Sequence, residues 1–235
     1  MDSTDSFRLP PYRGGPRFQT EDAPRRDGNS SLSTESRPND QPSWPHVRAW
    51  RESARRRLLA ARCALQRRDQ LRFALRIAAS LYERRGELFG RRVAFYWPVQ
   101  GEIDLVPFVR FVLRDLEAAA LPVSVHAHEP LEFWRWTPRS RLYSRGLWGV
   151  PAPAARELVQ PEVLLVPLLG FDGSGYRLGY GAGHYDRTLA ALPHATRVIG
   201  IGHELGRLRS VYPQPHDLPM HAVVTERGFV DHGRS

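Results

Sequence analysis

The stretch Glu162–Ala190, "EVLLVPLLGFDGSGYRLGYGAGHYDRTLA", decides how the chain is read. It opens with the apolar run "EVLLVP" (162–167), whose length and branched side chains predict a buried strand. It then alternates glycines at Gly179, Gly181 and Gly183, and ends in a segment that predicts a helix over about 184–192. A loop in that position lies beyond the carboxyl end of a strand, where open α/β sheets bind their ligands. Alternating glycines let the backbone approach a ligand, and the helix start adds unpaired N–H groups, a combination that suits phosphate. The spacing matches neither the Walker A sequence nor the dinucleotide fingerprint. A purely structural turn would use glycine in the same way. Asp186, in the first helical turn, either complements the helix dipole or holds Mg²⁺ against phosphates. Asp217, in "QPHDLP", either closes an Asx-type turn or supplies the second carboxylate.

Upstream, Ala54, Leu58, Ala61 and Leu65 recur at helical spacing, predicting a helix over 50–67 with a basic outer face. A second helix is expected over 69–85, presenting Leu71, Leu75, Ala78 and Leu81 or Tyr82. "RVAFYW" (92–97) reads as a short buried strand ending at Pro98. A helix over 103–118 carries Leu105, Val109, Val112 and Leu116 on one face, and "PVSVHA" (122–127) reads as the next strand. Residues 129–161, rich in aromatics and proline, predict loops with short strands. "RVIGIG" (197–202) and "AVVTE" (222–226) complete the set. Apolar runs alternating with amphipathic helices predict a Rossmann-like, three-layer α/β/α fold with a mostly parallel central sheet.

The first 46 residues hold Pro, Gly, Ser, Asp and Arg with few aliphatics, so they predict a disordered tail, followed by one α/β domain over 47–230. The net charge is +9, and all 34 basic residues are arginine. Thirteen arginines against four acids lie in 51–92 alone, an excess that fits a solvated helical face or a nucleic-acid stripe. A single cysteine, Cys63, excludes an internal disulfide framework and a multi-cysteine zinc site. No apolar run approaches the roughly 20 residues of a membrane span, and "MDSTDSFRLPPYRGG" lacks a secretory pattern. The expectation is a cytoplasmic monomer that binds neither membrane nor nucleic acid.

The segment "VPLLGFDGSGYRLGYGAGHYDRTL" resembles the signature of the 5-formyltetrahydrofolate cyclo-ligase family, and the likeness extends over about residues 51–227. The resemblance implies ATP-driven and Mg²⁺-dependent ring closure of 5-formyltetrahydrofolate to 5,10-methenyltetrahydrofolate, with ATP and Mg²⁺ as cofactors. It implies ATP contacts at Arg51 and Arg55 of "RESAR" and at Arg177, Leu178, Gly179, Tyr180, Gly181, Ala182, Gly183, His184 and Tyr185, with Arg177 and Tyr185 in catalytic roles. It implies a folate site at Trp97 and Glu102 of "YWPVQGEID", at Phe133 and Trp148, and along Tyr180–His184. Magnesium falls to Asp186 and Asp217. Where the family usually has lysine, glycine and tyrosine, this chain has Arg51, Ala182 and His184. Leu168, Ala152 and His221 are further departures. The competing readings are a folate-binding homologue of reduced activity, a sugar-phosphate enzyme on a related α/β scaffold, and an arginine-rich nucleic-acid-binding module.

Overall fold

Alternation along the three central apolar runs sorts the core into two sides. Val93, Phe95, Ala119, Leu121, Val163 and Leu165 point to one side, and Ala94, Ala118, Ala120, Leu164 and Val166 to the other. The computed structural model describes residues 43–145 and 149–233, so the expected tail lies almost wholly outside the described residues. Strands β1 (Arg92–Ala94), β2 (Ala118–Val123), β3 (Glu132–Arg135), β6 (Val163–Pro167), β9 (Arg197–Ile201), β10 (Ala222–Thr225) and β11 (Gly228–Asp231) form one sheet in the order β11-β10-β9-β6-β1-β2-β3. The five inner strands are parallel, and the two edge strands are antiparallel. Helices α2 (Arg67–Glu83) and α3 (Val106–Val112) cover the first side, and α4 (His184–Ala191) covers the second. The mostly parallel three-layer α/β architecture is therefore the one expected. Two small hairpins, β4 (Leu142–Arg145) with β5 (Val150–Pro153) and β7 (Gly170–Phe171) with β8 (Arg177–Leu178), stand apart from it.

The chain runs from β1 outward through β2 and β3, then returns to the other flank of β1 to lay down β6. Neighbouring loops therefore leave the carboxyl ends of β1 and β6 in opposite directions and open a crevice between them. Helix α1 (Trp44–Cys63) does not join either layer. Its Ala54 and Leu58 pack on Leu169, Leu178 and Val211, so it lies against the β7–β8 hairpin that leads into the glycine loop.

Several elements depart from the periodic reading. Helix α1 buries Val47, Arg51, Ala54, Leu58 and Arg62, so Ala61 and Leu65 sit only at the margin of its packed face. Helix α2 packs through Phe73, Ile77 and Leu81, whereas Leu71 and Leu75 are exposed. Two apolar stripes share that helix, and the aromatic and branched one reaches the sheet. Helix α3 stops at Val112 in a short 3-10 turn, and β2 begins at Ala118, several residues before the strand expected at Pro122. The run Ala118–Ala120 favours helix by propensity, yet its small side chains fit between β1 and β3, where all three are buried.

Because Ile77 is fully buried and Leu75 is not, Ile77→Ala is expected to destabilise the protein by about 2–4 kcal/mol. Leu75→Ala should change it by no more than about 0.5 kcal/mol. Urea unfolding of the two variants reads the difference; equal losses would contradict this packing.

Candidate active site

A cavity of about 780 Å³ opens at the carboxyl ends of β1, β2 and β6. Tyr96 and Trp97 line it from the end of β1, Pro122 and Val123 from β2, and Pro167 from β6. The glycine loop, the start of α4 and the inward face of α1 complete its wall.

Arginines dominate one end. Arg51 is buried; its Nε donates to Val211 O at 3.0 Å, and its Nη2 donates to Tyr212 O at 3.0 Å and to the Asp217 carboxylate. Arg55, one turn further along α1, donates from Nε to Gly179 O at 2.8 Å. Arg177, buried on β8, donates to Leu218 O at 3.1 Å and pairs with Asp186. Burial lowers the pKa of Arg177, and burial with the neighbouring Arg51 charge lowers that of Arg55. The Arg177 shift reports a cation held out of water, and the Arg55 shift one that also lies close to a second cation; both settings favour an anionic ligand. Arg48 and Arg187 also face this cavity.

The loop itself takes the shape the glycines permit. Gly181 has φ +96°, and a Cβ there would stand 3.3 Å from the Arg55 guanidinium. Gly183, at φ +69°, is the N-cap of α4, and no side chain caps that helix. Its first-turn N–H groups are therefore open to a ligand oxygen. Ala182, the departure within the loop, lies between these two and has no positive φ. The alanine therefore adds a methyl group without backbone strain. Arg187 donates to Ala182 O at 3.0 Å, and its Nη2 is 3.4 Å from His184 Nδ1. An arginine can only donate, so His184 accepts at Nδ1 and carries its proton on Nε2. Burial and Arg187 lower its pKa, which keeps it neutral.

The other end is aromatic and built around one carboxylate. Glu102 accepts Val99 N–H at 3.0 Å and the Tyr180 hydroxyl at 2.6 Å. Burial raises its pKa above the usual carboxylate range. Tyr96 donates to Ile103 O at 2.8 Å, and burial keeps both Tyr96 and Tyr185 in the neutral phenol form. Trp97 forms part of this wall.

The fold brings Arg51, Arg55, Trp97, Glu102, Arg177, Leu178 and the Gly179–Asp186 segment to one cavity with Asp217. Phe133 does not reach it. Its ring is buried beneath the sheet with Ala94 and Leu164, because β3 alternation turns it to the α4 side. Trp148 lies outside the described residues. Leu131, Val150 and Ala152 line the flank expected for those two rings. Arg62 was hidden from a periodic reading, although it follows Arg51 and Arg55 on the same helical face; it is buried and donates to the Tyr180 hydroxyl.

Asp186 and Asp217 are hard oxygen donors of the kind magnesium takes. Asp186 spends one oxygen on Arg177; Asp217 spends one on Arg51 and on the N–H of Gln214, three residues back, which is not the forward Asx-type turn expected of it. Each carboxylate has a second oxygen beyond these bonds. Among the described residues no group of three or more His, Cys, Asp or Glu is placed to hold a metal. The donor set therefore fits an ion that takes most of its ligands from phosphate and water. No helix among the described residues is long and apolar enough to cross a membrane.

Fold and cavity together define an α/β protein with an arginine-lined cavity at the switch point of a parallel sheet. Residues 47–226 match the sequence model of the 5-formyltetrahydrofolate cyclo-ligase family, and the chain belongs to that enzyme family. It is 32% identical over 152 residues to the 5-formyltetrahydrofolate cyclo-ligase of Mycolicibacterium smegmatis, covering 61% of this chain and 78% of that one. The Escherichia coli enzyme of the same name is 33% identical over 140 residues, covering 57% and 76%. The solution structure of Aquifex aeolicus 5,10-methenyltetrahydrofolate synthetase superposes with a TM-score of 0.66 at 28% identity, covering 79% of this chain and 95% of that one.

The loop geometry is open to a stability test. Gly181→Ala forces a side chain into the left-handed region against Arg55 and should cost at least about 1 kcal/mol. Ala182→Gly should cost about 0.5–1 kcal/mol through chain entropy alone. Thermal unfolding reads both; a stabilising Ala182→Gly would contradict the loop conformation.

Proposed function

We propose that the domain spanning 47–230 catalyses ATP- and Mg²⁺-dependent cyclisation of 5-formyltetrahydrofolate to 5,10-methenyltetrahydrofolate, releasing ADP and phosphate. One observation carries the reading beyond family membership. A single cavity has an arginine-rich end and a carboxylate-aromatic end, with Gly179–Gly183 between them. A transfer between a nucleotide and a heterocycle needs that division.

In this reading the loop amides and the start of α4 cradle the phosphates, while Arg51, Arg55 and Arg177 neutralise their oxygens. Asp186 and Asp217 would hold Mg²⁺, which would supply charge neutralisation on the transferring phosphoryl group. Glu102 accepts the amino edge of the pterin, and Trp97 walls the ring. Tyr185, held neutral, can only donate its phenol proton in a hydrogen bond to developing negative charge. His184, also neutral, offers its Nε2–H.

The formyl oxygen on N5 attacks the γ-phosphorus as the bond to the ADP oxygen breaks, giving an N5 iminium phosphate. N10 then attacks the activated carbon and loses its proton, and expulsion of phosphate leaves the 5,10-methenyl bridge. The protein's part is positioning and charge stabilisation, so no covalent nucleophile is needed. Cys63 is exposed and lies outside the cavity. Within this reading the enzyme works as a cytoplasmic monomer on a small-molecule folate.

Ultraviolet absorbance of the methenyl product tests the proposal directly. The chromophore should appear only when ATP and Mg²⁺ are both present. Asp186 is partly exposed but pairs with the buried Arg177, so Asp186→Asn, which keeps a hydrogen-bond acceptor for that arginine, should keep the fold while lowering the rate by about 10²-fold or more. Folded wild-type protein that forms no chromophore would overturn the reading, and equal turnover without ATP would point to chemistry of another class.

A further inference from the structure

Arg62 is the least accessible arginine of the described residues, 1% exposed, and forms no ion pair within 4.0 Å among them. Its bonds go to three separate loops instead. Nε donates to Gln100 O at 3.0 Å, Nη1 to Leu168 O at 3.4 Å, and Nη2 to the Tyr180 hydroxyl. The guanidinium carbon also stands 5.4 Å from the centroid of the Tyr180 ring. An apolar side chain would cost far less to bury than a cation satisfied only by neutral acceptors. What the arginine adds is geometry.

We propose that Arg62 is a positioning residue that joins the glycine loop to the loop bearing Glu102, through a relay in which the Tyr180 hydroxyl accepts from Arg62 and donates to Glu102. The proposal rests on the functional reading above, in which Glu102 receives the pterin. The turn carrying Glu102 requires such support. Gln100 and Gly101 lie consecutively at φ 48° and 78°, a conformation that strains a non-glycine residue. Arg62 holds Gln100 O from one side, and His203 Nε2 holds Gly101 O at 3.0 Å from the other. Burial pushes His203 down to about 4, so it is a neutral ring that donates at Nε2. Glu102 then closes the turn on Val99 N–H. The same relay reaches Tyr180, within the loop assigned to the phosphates, and so fixes the Glu102 turn against that loop through two hydrogen bonds.

The charge of Arg62 and the Tyr180 hydroxyl both act to lower the Glu102 pKa against the effect of burial, while the neutral phenols of Tyr96 and Tyr185 and the neutral His203 add no charge. Removing either relay member therefore raises that pKa further, and the acid limb of kcat/KM for folate moves to higher pH. Steady-state kinetics should show Arg62→Leu raising the folate KM by about tenfold with the ATP KM changed less than about twofold. Tyr180→Phe, on a partly exposed residue, should give the same split and the same upward shift of the acid limb. The double variant should be no worse than the poorer single one, as expected of residues acting as a unit. Arg62→Lys should restore the position of the acid limb but only part of the KM, since one ammonium cannot serve three acceptors. Should Arg62→Leu fail to fold, Tyr180→Phe alone decides. Independent, multiplicative losses, both KM values rising together, or an unmoved acid limb would each overturn the relay while wild-type turnover stands. Absence of wild-type turnover would overturn the functional reading and the relay with it.

Discussion

A buried arginine must find acceptors, and in this protein the acceptors are the site. Helix α1 carries Arg51, Arg55 and Arg62 inward along one face, between and beside the apolar anchors Ala54 and Leu58. Solvation lost on burial has to be replaced by hydrogen bonds within the protein. The carbonyls that replace it belong to residues 100, 168, 179, 211 and 212, all in loops at one end of the sheet. Loops that would otherwise be free to drift are thus ordered around one helix, and the cavity is the space they enclose.

The sheet supplies the rest. Chain reversal at β1 and β6 leaves a crevice at their carboxyl ends, and each of those strands delivers one half of the site. The end of β1 leads to Tyr96, Trp97 and Glu102; the end of β6 leads through a hairpin to Arg177 and the glycine loop. Helix α4 then begins with its uncapped first turn at the same place. Two substrates of different chemistry can meet there because the two sides of one crevice are made by different parts of the chain.

Much of this was legible in the sequence where local pattern and tertiary environment agree. The strand at 163–167, the loop and the helix at 184–191 follow from side-chain branching, glycine spacing and helical periodicity, which the core leaves undisturbed. The reading failed where environment outweighs pattern. On α2 two apolar stripes compete, and spacing alone does not say that Phe73 and Ile77 face the sheet while Leu71 and Leu75 face water. The alanines before Pro122 carry helix propensity into a strand that only close neighbours on both sides explain. Arg62 read as part of a basic surface because charge is normally a sign of exposure; its partners lie 38 to 118 residues away in the chain. Phe133 fell to the wrong face because pairing with β2, rather than its own segment, sets its direction.

The most direct test of the account is a crystal structure with ADP, Mg²⁺ and 5-formyltetrahydrofolate bound together. Phosphate oxygens are expected within hydrogen-bond distance of the Gly179–Gly183 amides and Arg55, magnesium against Asp186 and Asp217, and the pterin amino edge on Glu102. Nucleotide phosphates bound away from the loop, or a pterin that leaves Glu102 on Tyr180 and Val99 alone, would contradict it.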